Sequence, residues 1–234
     1  MKRDGAIIQS VCSNYDDVIN ITKPHNKNYA NKINFDYILH KQFWDHNRHP
    51  SWNSLYSTLY LLKQGYKYVL SLDGDAVVVN QNKHILDLCK EVPAALLHIC
   101  SSKPMDGPSR CDGLQKKPMY VNAGVFLIKR DDKTIRFLER VINTKHTQYH
   151  RGGSWEQRPI QLEFNGDMPY YSKIVKIYKH DYFNHSSSWI FHPCIWKKGK
   201  PVSNKEKATL LKNKLKGGPL HLSRGGDLWP RSLY

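Results

Sequence analysis

Apolar positions along this chain follow two spacings that exchange several times. The run Ala6-Ile7-Ile8-Gln9-Ser10-Val11 is short and mostly apolar, as a buried strand is. From about Tyr15 to Ile33 the spacing is helical, despite Pro24, and Phe35-Asp36-Tyr37-Ile38-Leu39-His40 then alternates as a strand. Trp52, Leu55, Tyr56, Leu59, Tyr60, Leu61 and Leu62 mark an amphipathic helix closed by Gly65. Lys67-Tyr68-Val69-Leu70-Ser71-Leu72 predicts a strand that runs straight into Asp73-Gly74-Asp75. A short helix about Ile85 to Lys90, a strand from Ala94 to Ile99, a strand from Tyr120 to Lys129, and helices over Asp131 to Asn143 and Trp155 to Phe164 complete the pattern. Strands alternating with helices over the first two thirds predict an α/β fold with a mostly parallel central sheet and right-handed crossovers. Residues 101–118 form a polar loop with three prolines and two glycines, and a loop of that length in a compact domain is functional or mobile.

Composition narrows the class without choosing a function. A chain of 234 residues with 40% hydrophobic and 24% charged content has the apolar material for one large domain, and no linker or repeat divides it. The expectation is a single domain over 1–234, with a part at about 1–100 and a second at about 101–234. No apolar run is long enough to span a bilayer, and the N-terminal run is too short for a signal peptide. The chain is therefore expected to be cytoplasmic, or to have had a leader removed. Cys12, Cys89, Cys100, Cys111 and Cys194 are odd in number and widely spaced, which suits free thiols in a reducing compartment better than a metal ribbon. The net charge of +16 asks for an anionic partner: nucleic acid, an anionic membrane surface or a phosphorylated small molecule.

The acidic triplet Asp73-Gly74-Asp75 changes the picture most. An apolar strand delivers two carboxylates to the edge of the sheet at which open α/β folds bind ligands. Hard divalent cations such as Mn²⁺ or Mg²⁺ take carboxylate oxygens together with substrate phosphates, and the intervening glycine permits close approach. Asp-Gly is also ordinary turn chemistry, so the strand before it carries the functional reading.

With Trp52-Asn53, Tyr68 to Val78 and Asn122-Ala123-Gly124-Val125-Phe126 in that order, followed by Glu156-Gln157 and His221, the chain resembles the GT-A glycosyltransferase superfamily over roughly residues 5–227. It is most similar to the fungal galactosyl/mannosyltransferase and plant xyloglucan xylosyltransferase types, and to the soluble glycosyltransferases of large DNA viruses. The resemblance implies a Rossmann-like three-layer fold and transfer of a sugar from a nucleoside-diphosphate donor, UDP by family habit, to a glycan acceptor. It implies Mn²⁺ (or Mg²⁺) held by Asp73, Asp75 and His221. Donor contacts fall on Ser13, Tyr15, Arg48, Asp73, Asn122, Gly124, Arg224 and Gly225, and the residues facing the reacting carbon on Glu156 and Gln157. If the source is viral, the host cytoplasm is the implied location.

Several of these positions have a second reading from the residues alone. Tyr15 either stacks on a base or packs at a helix start; Asn122 and Gly124 either line a sugar pocket or serve a strand irregularity. Ser54 stands where relatives often carry lysine, which leaves Arg48 as the substitute cation. The aromatic cluster Tyr182, Phe183, Trp189, Phe191 and Trp196 is either an acceptor wall or core packing, and the lysines from Lys197 to Lys216 either steer an anionic donor or form a solvated surface. Retention is favoured by analogy, while inversion would need a carboxylate base such as Glu156 or Asp112. The competing function is nucleic-acid binding or processing through the basic surface. It lacks any RNP, helix-turn-helix or zinc-finger pattern, so no specific nucleic acid is expected. A two-metal nucleotidyltransferase is less attractive for want of an N-terminal Gly-rich phosphate loop, and a degenerate non-catalytic binder is opposed by the intact acidic pair and His221. The oligomeric state is left open.

Overall fold

The strand–helix exchange of the sequence becomes a six-stranded sheet with helices on both faces. The structure is a computed structural model, which describes residues 3–11, 14–101, 120–151, 155–184, 187–193, 196–197 and 200–217. Strand β1 (Gly5–Ser10) leads to helix α1 (Asp16–Lys32), β2 (Phe35–His40), a 3₁₀ turn (Pro50–Trp52), α2 (Asn53–Lys63) and β3 (Tyr68–Asp73). Then come β4 (Val77–Val78), α3 (Asp87–Glu91), β5 (Leu97–Ser101), β6 (Val121–Lys129), α4 (Asp132–Ile142), α5 (Gln148–Arg151), α6 (Gln157–Gly166) and α7 (Met168–Tyr171). The last elements are β7 (Val175–Tyr178), β8 (Ile190–Phe191), β9 (Trp196–Lys197), β10 (Lys200–Pro201) and α8 (Asn204–Leu215). The polar loop of residues 101–118 falls, but for Ser101, outside the described residues.

The sheet order is β2-β1-β3-β6-β5-β7. β1 pairs in parallel with β2 and β3, and β5 with β7, while β6 runs antiparallel between β3 and β5. The expected mostly parallel sheet is present, with one reversed strand at its centre. Alternate residues of each strand feed two cores. Ile8, Val69, Phe126 and Ile128 face α2, α4 and α6 through Trp52, Leu55, Phe137 and Phe164. Ile7, Leu70, Leu72, Val125 and Leu127 face the other way, onto Tyr29 of α1 and onto Phe183 and Trp189. This is the three-layer arrangement.

Pro24 lies inside α1 on its exposed side, so water can take the carbonyl its ring leaves unpaired. Asp16 and Asp17 in the first turn favour the helix dipole. Of the aromatic cluster, Phe183, Trp189 and Phe191 are buried in the core, and Tyr182 alone among the described side chains is exposed. Core packing therefore accounts for most of that group. No helix of the described residues is long and apolar enough to cross a membrane.

Candidate metal and nucleotide site

β3 ends on Asp73, and the turn that follows is held by polar side chains from β1 and α1. Gln9 Nε2 donates to the Asp73 carbonyl at 3.2 Å, and Thr22 Oγ1 donates to the Gly74 carbonyl at 2.9 Å. Asn26 donates to the Ala76 carbonyl and accepts from the Val78 amide, both at 2.9 Å. Gln9, Thr22 and Asn26 are fully buried, so each bond forms in a low dielectric, where a lost partner costs most. Three polar residues on otherwise apolar faces thus fix the backbone that presents the acidic pair. Gly74 is needed for space: a Cβ there would meet Val11 Cγ1 at 2.6 Å and Tyr15 Cδ1 at 2.9 Å.

β4 leaves that turn and pairs with β8, Val77 opposite Phe191 and Val78 opposite Ile190. This pairing carries the next residue, His192, onto the carboxylates. Its Nε2 lies 3.2 Å from Asp75 Oδ1 and 3.5 Å from Asp73 Oδ2. Ligand-capable atoms of Asp73, Asp75 and His192 all fall within 4.8 Å of one another. His192 is a ligand-capable member of this cluster that the ordered motifs of the sequence did not single out. His221, the expected third ligand, lies outside the described residues, as do Ser13, Arg224 and Gly225.

A chain of hydrogen bonds sets the tautomer of His192. The Gly124 amide donates to Asn122 Oδ1 at 3.0 Å, which fixes the orientation of the Asn122 amide. Asn184 Nδ2 donates to the same oxygen at 2.9 Å, so Asn184 turns its Oδ1 to His192 Nδ1, 3.0 Å away. Nδ1 must then carry a proton, which leaves Nε2 as the ring atom turned to the aspartates: a donor to them in the protonated ring and a free lone pair for a cation in the neutral one. This is the outer-shell arrangement that orients metal-ligating histidines. Asn122 and Gly124 serve the site by this route: a Cβ on Gly124 would collide with the His192 ring and lie 2.7 Å from Asp73 Oδ2. We expect Gly124→Ala to weaken Mn²⁺ binding roughly 10- to 100-fold. Unchanged affinity in an electron-paramagnetic-resonance titration would remove this packing from the site.

The fourth charged group is Lys207 of α8. Its Nζ lies 2.5 Å from Asp75 Oδ2 and donates to the Tyr15 hydroxyl at 2.8 Å. Burial alone would raise the Asp75 carboxyl, but Lys207 and then His192 outweigh it and hold the group well below the usual carboxylate range. Asp73 moves up, through burial first and Asp75's charge, against the pull of His192; 38% of its side chain stays exposed, so solvent damps the effect. Tyr15 is raised, chiefly by burial and then by Asp75. Its ring lies against Gly74, so it is packed at the helix start and borders the acidic pair at once.

Glu156 and Gln157 open α6 beside this cluster. Gln157 Oε1 accepts from the Ala123 amide at 3.4 Å and Gln161 donates to the Val121 carbonyl at 3.2 Å, which fastens α6 along β6. Glu156 is buried and its Oε2 has no hydrogen-bond partner. Burial, with a contribution from Asp73, pushes its carboxyl up to about 7. Trp155 before it holds a left-handed φ of 30° and stacks on His49 with centroids 4.1 Å apart. Backbone strain and a displaced carboxyl together mark functional sites. Arg48 is tied within its own loop, its Nε 3.2 Å from Asp45 Oδ2 and its guanidinium 4.4 Å above the Trp52 ring. No contact described here brings it to the acidic pair.

The donor set fits a divalent cation: two carboxylates and one oriented imidazole at the carboxyl edge of β3, with room among their atoms for one ion. No protein-family model matches the chain, and no curated protein matches it either. Solved structures do match. A glycosyltransferase involved in the glycosylation of the major capsid of PBCV-1 superposes with a TM-score of 0.65 at 12% identity, over 89% of this chain and 98% of that one. The glycosyltransferase GlyE of Streptococcus pneumoniae TIGR4 gives 0.50 at 14% identity, over 93% of this chain and 63% of that one. These likenesses establish the fold: the GT-A architecture expected from the ordered motifs is the one this chain adopts.

Proposed function

We propose that this chain is a metal-dependent glycosyltransferase, moving a sugar from a UDP-sugar to a hydroxyl of a glycan or glycoprotein with retention of configuration. The observation that carries the reading is the triad of Asp73, Asp75 and His192 at the carboxyl edge of β3, on a fold that solved glycosyltransferases share. Mn²⁺, or Mg²⁺, held by these three residues would offset the charge of the leaving diphosphate. His221 joins this shell in our reading, and Arg224 and Gly225 add a cationic and backbone cradle for the phosphates. Ser13 and Tyr15 bind the nucleoside end, Tyr15 from its place against Gly74, and Asn122 and Gly124 line the donor side. Arg48 serves the donor only indirectly, by bracing the Asp45–Trp52 loop.

Gln157 uses its carbonyl oxygen on β6, which leaves the amide N–H groups to stabilise the sugar as its bond to phosphate loosens. In a front-face transfer the departing phosphate oxygen accepts the acceptor's proton, so no separate base is required. Glu156, held largely protonated below pH 7, then adds little negative charge beside Asp73 when the donor is absent. The donor part is residues 1–100 and the acceptor side 101–234 of one domain. A reducing, cytoplasmic setting suits Cys89 and Cys100, which are free thiols. For a viral source that setting is the host cytoplasm.

A thermal-shift series with UDP- and GDP-sugars, each with and without Mn²⁺, tests this. A ligand that binds only the folded state adds about 2.7 kcal/mol at 100 times its dissociation constant. We expect a shift that needs both a UDP-sugar and Mn²⁺. No shift with any donor, in protein shown to be folded, would overturn the proposal.

A further inference from the structure

Lys207 is set apart from the other ion-paired lysines among the described residues. Lys41, Lys63, Lys67 and Lys90 make ion pairs while keeping half or more of their side chains exposed, as solvated surface pairs do. Lys207 keeps only 16%, and its partner Asp75 only 4%. The helix that carries it is docked independently of that ion pair. Ser203 and Glu206 close a capping box at its start, and Asn204 Nδ2 donates to the Asn14 carbonyl at 2.7 Å. Leu211 is buried with Val18, Val77 and Phe191. α8 therefore places an ammonium over the acidic pair.

The two oxygens of the Asp75 carboxylate have different partners. Oδ1 faces His192 Nε2 at 3.2 Å, and Oδ2 faces Lys207 Nζ at 2.5 Å. An ion bound among Asp73, Asp75 Oδ1 and His192 would share one carboxylate with a full positive charge. Two like charges a few ångströms apart repel strongly in a partly buried setting. A nucleoside diphosphate reverses the sign of that effect. Its phosphate oxygens attract metal and lysine together, and a long flexible lysine can leave Asp75 for them.

We propose that Lys207 makes metal binding conditional on the diphosphate. The lysine occupies Asp75 in the free protein and keeps the site weak for metal alone. When a nucleoside diphosphate enters, the ammonium transfers to the phosphates and the metal takes full use of the aspartates. Metal and nucleotide consequently bind with strong positive coupling, and the coupling is reciprocal. This rests on the metal-site reading of the previous section and adds to it a gating residue on α8.

Mn²⁺ binding is followed by electron paramagnetic resonance with and without UDP, in the wild type, Lys207→Gln and Lys207→Arg. Lys207→Gln keeps a hydrogen-bond donor near Asp75 but removes the charge, and Lys207→Arg keeps the charge. We expect UDP to tighten Mn²⁺ binding by the wild type and by Lys207→Arg by on the order of 100-fold. In Lys207→Gln, Mn²⁺ alone should bind on the order of tenfold more tightly. UDP in saturating Mn²⁺ should bind that variant about tenfold more weakly, through loss of a charge-assisted bond. Equal or weaker Mn²⁺ binding by Lys207→Gln without UDP would overturn the gate and leave the metal site standing. So would wild-type protein that binds Mn²⁺ equally with and without UDP, a result independent of whether any variant folds. A wild type that binds no Mn²⁺ under either condition would overturn the metal site itself, and the gate with it.

Discussion

Asp75→Asn is expected to abolish the Mn²⁺-dependent stabilisation by UDP-sugar while the protein stays folded. Asn has the same shape, so the turn held by Gln9, Thr22 and Asn26 is undisturbed. What disappears is the charge that both His192 and Lys207 face. An amide oxygen is a far poorer ligand for a hard cation than a carboxylate, and Asp73 alone leaves the triad one anion short. The variant also leaves Lys207 without its counter-ion in a mostly buried place, which should cost about 3 kcal/mol of stability. The two effects separate cleanly in one series of melts. Without ligands the variant should melt lower than the wild type, and adding UDP-sugar with Mn²⁺ should move it no further. A ligand-dependent shift equal to that of the wild type would remove Asp75 from the metal shell.

Glu156→Gln should make the protein more stable at and above neutral pH while leaving turnover largely intact. Glu156 is buried, and its carboxyl is displaced from an ordinary 4.5 to about 7 by burial first and by Asp73 second. The folded state therefore holds a proton between those values that the unfolded state has released. Stability from this group is complete below about 4.5 and falls as pH rises towards and past 7. Above pH 7 the charged carboxyl costs about 3 kcal/mol at most. Glutamine keeps the shape without the charge, so urea unfolding at pH 8 should show a gain of roughly 2 kcal/mol, shrinking to nothing near pH 4.5. Matching stabilities at pH 8 would show that the carboxyl is better solvated than its burial implies. Turnover at pH 7 should change by no more than a few-fold, because the front-face transfer needs no separate base and glutamine has the shape of the protonated carboxyl; a drop of about 100-fold would instead assign Glu156 general acid-base work.

Much of this architecture was legible in the one-dimensional pattern. The helix over Asp16–Lys32, the strand ending at Asp73 and the helix over Asp132–Ile142 lie within a residue or two of where spacing predicts them. These elements bury a continuous face, and a buried face writes its period into the sequence. The short pieces were not legible. β4 and β8 have two residues each, too few for any period, and their pairing joins positions more than a hundred residues apart. That pairing is what brings His192 to Asp73 and Asp75. A signal was present in the Trp189 to His192 stretch, where a histidine ends an otherwise apolar run, but only the pairing gives it a destination.

The same division holds for the chemistry. The sequence by itself determined that two carboxylates would stand at the end of an apolar strand, because a strand's end and a glycine turn are local facts. It also placed a helix over Trp155 to Phe164, which the structure shows as α6 from Gln157 to Gly166, since helix periodicity is a local property. Only the tertiary structure decided which imidazole and which ammonium meet those carboxylates. Twelve histidines and thirty-six lysines and arginines compete on equal terms in one dimension. The structure chooses among them by burial: His192 and Lys207 are enclosed against Asp75, where electrostatic interactions are strong and long-range screening is weak, and most of the other described lysines and arginines face water.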